Sequence, residues 1–204
     1  MYINENYRKI ANVDISDLKQ LVSLISSKQW CQFSQRQGTY AVHASTQTIP
    51  LIFDSDFRHK FPTHHAALAQ FETALIPVLQ AITDYFDGQD IITRGGQKAQ
   101  RKSYFVRVIL VKLNSNSYIA PHVDNGYSLA RSHRIHLPIL SNSEVEFSID
   151  GQAKHMKEGE LWEINNRKLH GVNNSSCSSR VHFIFDYVIK GEQINQPNCD
   201  VIYA

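Results

Sequence analysis

Two segments late in the chain alternate strictly between polar and apolar residues. In Arg134-Ile135-His136-Leu137-Pro138-Ile139, Arg134 and His136 share one face, and Ile135, Leu137 and Ile139 share the other. In Ser179-Arg180-Val181-His182-Phe183-Ile184-Phe185-Asp186-Tyr187, Arg180 and His182 fall together, opposite Val181, Phe183 and Phe185. A period of two is that of a β-strand. The inside of a plain sandwich is apolar, because burying an unpaired charge is costly. Strands with an aliphatic face and a face of Arg and His therefore predict a barrel-like double sheet lined for a charged ligand.

A second constellation lies beside these strands. Tyr118 to Asp124 reads as extended, so His122 and Asp124 project to one side and can reach one ion together. His170 completes the set from a distant strand. Two imidazoles and one carboxylate on one side of a metal leave the opposite positions open, a pattern that suits non-heme Fe(II) oxygenases. The pair alone is weak evidence. With ten histidines and nineteen acidic residues in the chain, a His-x-acid pair arises roughly once by chance. Taken singly, His122 and His170 read as core histidines, Asp124 as a turn residue and Arg180 as a charge at a sheet edge. Their order, and the alternating strands between them, carry the reading. Arg180 is expected to clamp the far carboxylate of a 2-oxo acid.

The blocks Pro121-His122-Val123-Asp124-Asn125-Gly126, Arg134-Ile135-His136-Leu137-Pro138-Ile139, Glu158-Gly159-Glu160-Leu161-Trp162, His170-Gly171-Val172-Asn173-Asn174 and Arg180-Val181-His182 resemble the aspartyl/asparaginyl β-hydroxylase family, in the family's order. Bacterial proline hydroxylases are similar in the same region. The resemblance implies a mainly β, double-stranded β-helix fold (jelly roll, cupin-like), with N-terminal helices packed on one sheet. It also implies Fe(II), 2-oxoglutarate and C–H hydroxylation. By position, His122, Asp124 and His170 resemble the metal ligands, and Arg180 the partner of the cosubstrate's C5 carboxylate. His136 resembles the residue near its C1 carboxylate, and Arg134 one that meets a substrate carboxylate. The segment around His43 is faintly similar to bacterial members near their substrate opening. Some animal members have Gly where this chain has Asp124, so the chain resembles the complete-triad branch. Where members often have Pro-Gly before the first histidine, Asn114-Ser115-Asn116-Ser117 stands here, also turn-forming.

The remainder is organised around this region. The expected domain runs over 1–190, with helix and strand support over 1–102 and a jelly-roll core over 103–190, followed by a polar tail over 191–204. Val13 to Ile25 reads as a helix capped by Asp14 or Ser16, with Trp30 and Phe33 packed beneath it. Thr39–Ser45 and Thr48–Phe53 read as two strands, and Asp54–Pro62 as a loop. His64-His65 reads as a helix N-terminus, because adjacent side chains diverge and do not share a ligand. Leu68, Phe71, Leu75, Val78, Leu79, Ile82 and Phe86 mark an amphipathic helix over 66–86, buttressing a sheet from outside, with a kink expected at Pro77. Residues 88–102 form a basic loop, read as solvated or as a lid drawing in an acidic substrate. Tyr104–Leu113 reads as a central strand, with Arg107 turned toward the site. Tyr127 and Arg131, close to the metal ligands in sequence, are expected at the substrate rim.

Composition narrows the function classes. A formal charge of +2 argues against nucleic acid or a membrane surface as partner. No apolar run is long enough to span a bilayer, and the polar first ten residues do not read as a signal peptide. Cys31, Cys177 and Cys199 have no CxxC spacing and fit free thiols in a reducing cytoplasm. The expected protein is a cytoplasmic Fe(II)- and 2-oxoglutarate-dependent dioxygenase. It would use dioxygen to hydroxylate a small molecule or peptide that bears a carboxylate, such as an amino acid, releasing succinate and CO2. The alternatives are a cosubstrate-independent cupin-type metal dioxygenase, against which Arg180 speaks, and a non-catalytic jelly-roll binding module. A halogenase is disfavoured, because Asp124 stands where the halide would bind.

Overall fold

A computed structural model describes residues 3–34, 38, 41–56, 58, 62–89, 103–190 and 192. Eleven strands among them form two sheets. In chain order they are β1 (Tyr7–Asn12), β2 (Thr46–Phe53), β3 (Thr63–His64), β4 (Ser103–Leu113), β5 (Ser117–His122), β6 (His133–Leu140), β7 (Val145–Ile149), β8 (Gln152–Lys154), β9 (Glu160–Ile164), β10 (His170–Asn174) and β11 (Arg180–Ile189). The larger sheet has the order β1-β9-β6-β11-β4-β2-β3, and the smaller one β5-β10-β7-β8. Two such sheets, with successive strands crossing between them, make the double-stranded β-helix.

The alternation read from the sequence decides which way the larger sheet faces. Ile135, Leu137 and Ile139 of β6 join Val181, Phe183 and Phe185 of β11 in the main apolar core. Three helices among the described residues accompany this sheet: α1 (Ser16–Ser23), α2 (Ser27–Trp30) and α3 (Ala67–Asp87). The α3 stripe of Phe71, Leu75, Val78, Ile82 and Phe86 is buried in that core, so α3 supports the sheet from outside as its periodicity predicts. Pro77 lies within α3. The opposite face of the sheet carries Arg134, His136, Arg180, His182 and Asp186, all buried. β4 lies between β11 and β2, as a central strand should.

Several local expectations are corrected. Residues 41–43 form a 3-10 turn instead of a strand, and β2 starts at Thr46, whose hydroxyl donates to His43 O at 2.7 Å. α1 is shorter than the periodicity implies, and its N-cap residue is Ile15; Asp14 Oδ1 accepts instead from Ser16 N–H and Oγ–H. His64 ends the short strand β3, and α3 begins three residues later. Ser27–Trp30 forms a helical turn closed by a Ser26–Gln29 capping box, and Trp30 is buried. The basic loop from residue 90 onward, Cys199 and the tail beyond Glu192 lie outside the described residues. Cys31 and Cys177 are exposed free thiols. No helix among the described residues is long and apolar enough to cross a membrane.

Candidate active site

β5 ends at His122 and β10 begins at His170, and the antiparallel register sets these two residues opposite each other. Their rings lie 4.4 Å apart, centroid to centroid. The approach depends on Gly171. A Cβ there would come within 3.0 Å of Ile119 O and 3.2 Å of Pro121 N. Both rings are oriented through Nδ1. His122 Nδ1 lies 2.8 Å from Ala120 O, and His170 Nδ1 lies 2.9 Å from Lys168 O. A carbonyl only accepts, so each Nδ1 carries the proton and each Nε2 offers a lone pair.

Asp124 reaches these atoms by a different route from the one read in sequence. The strand stops at His122, so alternation does not place Asp124. Its N–H donates to Asn166 O at 3.0 Å, and its carbonyl accepts from Arg167 Nη1 at 2.5 Å. The loop before β10 thus holds the loop after β5. Asp124 Oδ1 lies 3.7 Å from His122 Nε2, and Oδ2 lies 3.8 Å from His170 Nε2. One ligand atom from each of the three residues falls within 4.8 Å of the others. Two neutral imidazoles and a carboxylate are the donor set a divalent iron takes, so the residues fit the metal the sequence implies.

Electrostatics hold these groups in ligating form. Burial alone would raise the Asp124 carboxyl, but Arg134, His170 and His122 outweigh it and keep it ionised far below the usual carboxylate range. Burial is also the largest influence on His170 and lowers it, Asp124 opposing. His170 is therefore neutral at neutral pH.

From the triad a row of rings leads into the barrel. Phe147 of β7 stacks parallel to His170 at 6.1 Å, His136 meets Phe147 edge-on at 5.3 Å, and His182 meets His136 at 5.8 Å. Arg180 ends the row, 1% exposed, with Nη2 2.6 Å from His182 Nδ1. A guanidinium only donates, so His182 Nδ1 accepts and its proton sits on Nε2. A narrow pocket lined by Phe147, Lys154, Met156, Val172, Arg180 and His182 surrounds this end. Burial, then the Arg180 charge, pushes His136 and His182 well below the ordinary histidine value. His136 Nδ1 and His182 Nε2 are buried without a partner among the described residues. Polar atoms buried unsatisfied beside a guanidinium fit an anionic ligand.

The other expected residues fall into two groups. The His43 ring stands perpendicular to that of His122 at 5.7 Å, beside the triad. Tyr127 is half exposed, and Arg131 lies 3.9 Å over its ring, at the surface next to Asp124 in sequence. Arg134 is elsewhere than expected. It is buried, with Nη1 2.6 Å from Asp124 Oδ2 and with Nε and Nη2 on the two Asp186 oxygens at 2.9 and 2.8 Å. Those pairings direct it to the Asp124 carboxylate and away from an open rim. Arg107 lies on this same sheet face, where it pairs with Asp54 and Asp186.

Sequence reasoning missed Asn166, Arg167 and Asp186. Asn166 Nδ2 donates to Asp124 Oδ2 at 3.2 Å. Asp186 had a usable signal, because it has the same parity on β11 as Arg180 and His182. The run Asn165-Asn166-Arg167 carried none beyond its place before His170.

A family model for aspartyl/asparaginyl beta-hydroxylases matches residues 90–189. That segment is similar to this family. No curated protein sequence matches the chain. Solved structures share its fold at low identity. An oxidoreductase of the 2OG-Fe(II) oxygenase family from Burkholderia pseudomallei superposes with TM-score 0.54 and 11% identity, covering 74% of this chain and 71% of its own. The viral collagen prolyl hydroxylase of Paramecium Bursaria Chlorella virus-1, solved with 2OG, gives 0.51 and 12%, covering 92% and 98%. A Trichoplax adhaerens prolyl hydroxylase, solved with a hypoxia inducible factor peptide, gives 0.56 and 9%, covering 92% and 85%.

Proposed function

We propose that the protein is an Fe(II)- and 2-oxoglutarate-dependent oxygenase that hydroxylates an unactivated C–H of a carboxylate-bearing substrate, an amino acid free or within a peptide. The observation that carries this reading is the triad at one end of the ring row and the buried guanidinium of Arg180 at the other. A metal centre without a cosubstrate has no use for a cation enclosed at that depth.

Each residue then has a role. His122 and His170 present Nε2 to iron because backbone carbonyls hold their Nδ1 protons. Asp124 supplies the third ligand. Arg180 pairs with the distal carboxylate of 2-oxoglutarate through charge-assisted hydrogen bonds, and His182 orients the guanidinium. His136, kept neutral by burial, borders the cosubstrate near its other carboxylate. When bound, iron and 2-oxoglutarate supply the oxidising chemistry: one dioxygen is consumed, the 2-oxo acid becomes succinate and CO2, and the substrate C–H becomes C–OH. Tyr127, Arg131 and His43 border the substrate. With Arg134 held by two carboxylates, Arg131 is the cation that meets the substrate's acid group.

The test is an anaerobic titration of the metal-free protein with Fe(II) and 2-oxoglutarate, followed by the visible charge-transfer band of the chelate. A saturable band is expected, lost in Asp124→Ala and requiring far more 2-oxoglutarate in Arg180→Ala. Tight iron binding with no band would overturn the cosubstrate assignment, and no iron binding would overturn the enzyme reading.

A further inference from the structure

Arg134 is one member of a closed ring of buried polar side chains. On the larger sheet, Asp186 of β11 is in register with Arg134 of β6 on one side and Arg107 of β4 on the other. Arg134 grips Asp186 with two nitrogens. Arg107 Nη1 lies 3.1 Å from Asp186 Oδ2. The far side of Arg107 donates through Nε at 3.1 Å and Nη2 at 2.5 Å to Asp54 Oδ1, just past β2. Asp54 Oδ2 accepts from Ser128 Oγ at 2.5 Å. At the other end, Arg134 Nη1 donates to Asp124 Oδ2. Asp124 and Ser128 belong to one loop, four residues apart. The contacts therefore run from the metal-ligand loop across four strands and back to the same loop.

Every member is buried, Asp54 and Asp186 completely. Three carboxylates face two guanidiniums, so the ionised ring carries one net negative charge. Such a cluster is a poor way to gain stability, since desolvation offsets most of the attraction. Its geometry has a more specific consequence. Arg134 and Asn166 both hold Asp124 Oδ2. Oδ1, the oxygen near His122 Nε2, accepts no hydrogen bond among the described residues and keeps its lone pairs for a ligand.

Resting on the triad as a metal site, we propose that Asp54, Arg107 and Asp186 are positioning residues for the metal. Through Arg134 and Ser128 they fix both ends of the 124–128 loop and aim Asp124 Oδ1, and their carboxylates offset the Arg134 charge beside it. Supporting groups beyond the direct ligands commonly contribute ten- to a hundredfold to metal affinity.

The experiment uses Co(II) as the probe, bound to the full chain without cosubstrate, in wild type, Asp54→Asn and Ser128→Ala. Both substitutions are close to isosteric and neither residue touches a ligand. Native far-UV circular dichroism establishes folding, and Ser128→Ala decides the matter where Asp54→Asn does not fold. Co(II) affinity is expected to fall about tenfold in Asp54→Asn, with a smaller loss in Ser128→Ala. In both, the visible Co(II) bands are expected to shift, which loss of stability alone does not produce. Folded variants with wild-type affinity and spectrum would overturn the ring's role while leaving the triad intact. Equal Co(II) binding by wild type and Asp124→Ala would overturn the metal site itself, and the ring's role with it.

Discussion

Arg180 Nη2 stands 2.6 Å from His182 Nδ1, so two residues of one strand face form a single cationic unit. The histidine stays neutral because it is buried beside a guanidinium. It acts as an acceptor that fixes where the fork points. His182→Leu removes that acceptor and leaves the charge. A hydrogen bond to a charged group contributes about 1.5–3 kcal/mol. The expected result is a rise of about tenfold or more in the 2-oxoglutarate needed to saturate the chelate band, with Fe(II) affinity little changed. Equal losses of iron and cosubstrate would show that His182 supports the barrel generally.

Arg134 separates two buried carboxylates, Asp124 and Asp186. Arg134→Met leaves both without their main countercharge. Breaking a buried pair on one side costs about 3–5 kcal/mol. The variant is expected to lose that much in urea unfolding of the metal-free protein, and to recover part of it with Fe(II), which neutralises Asp124. An effect below about 1 kcal/mol would mean that Arg134 contributes little to the buried charge balance.

His133 gives the fold a pH dependence away from the metal. Its Nδ1 lies 2.7 Å from Glu163 Oε1 on β9 and its Nε2 2.8 Å from Glu192 Oε2, with the Phe86 ring of α3 against it at 4.3 Å. Arg8 Nη1 is 3.8 Å from the other Glu163 oxygen. Burial would lower His133, but the two glutamates raise it to about 9. The ordinary value is about 6.5. The folded state therefore holds a proton that the unfolded chain releases. The stabilisation is fully present below about pH 6.5 and is lost as pH rises through 9, at most about 3 kcal/mol. Chemical denaturation between pH 6 and 10 is expected to show this decline in wild type and not in His133→Gln. A slope unchanged in the variant would assign it to another group.

The two alternating strands disclosed the sheet, its aliphatic side and its polar side, because a period of two is written directly into the side chains. Leu68 to Phe86 disclosed α3 in the same way. Asp54 left no such mark. It follows an apolar strand and reads as the first residue of a loop, yet it is fully buried, because its partners Arg107 and Ser128 lie 53 and 74 positions away. Glu192 reads as part of a polar tail for the same reason, its partner being His133. β1 was hidden too, since its pairing with β9 crosses most of the chain and its residues show no clean alternation of burial. Residues 41–43 misled because β-favouring side chains were overridden by the turn into β2. Local patterning singled out His122, Asp124 and His170 as candidates, whereas the ionic ring beside them is non-local.

Gly171 offers a test of the metal geometry without touching a ligand. It follows His170 on β10, where the backbone comes so close to β5 that a Cβ would lie 3.0–3.3 Å from Ile119 O and from Pro121 N and Cα. These are backbone atoms, unable to swing aside as a flexible side chain can. Gly171→Ala must push β10 from β5 at the point where His170 faces His122, by a few tenths of an ångström. Catalytic and ligating groups tolerate little such displacement. The expected outcome is a folded protein with modestly lower melting temperature, Fe(II) affinity reduced about tenfold, and a chelate band shifted from that of wild type. Gly151→Ala, in the turn between β7 and β8, is the control. It strains a φ of +76° but meets no neighbouring atom, so its cost is conformational rather than steric. Tight wild-type iron binding in Gly171→Ala would mean that β10 absorbs the extra methyl without moving His170.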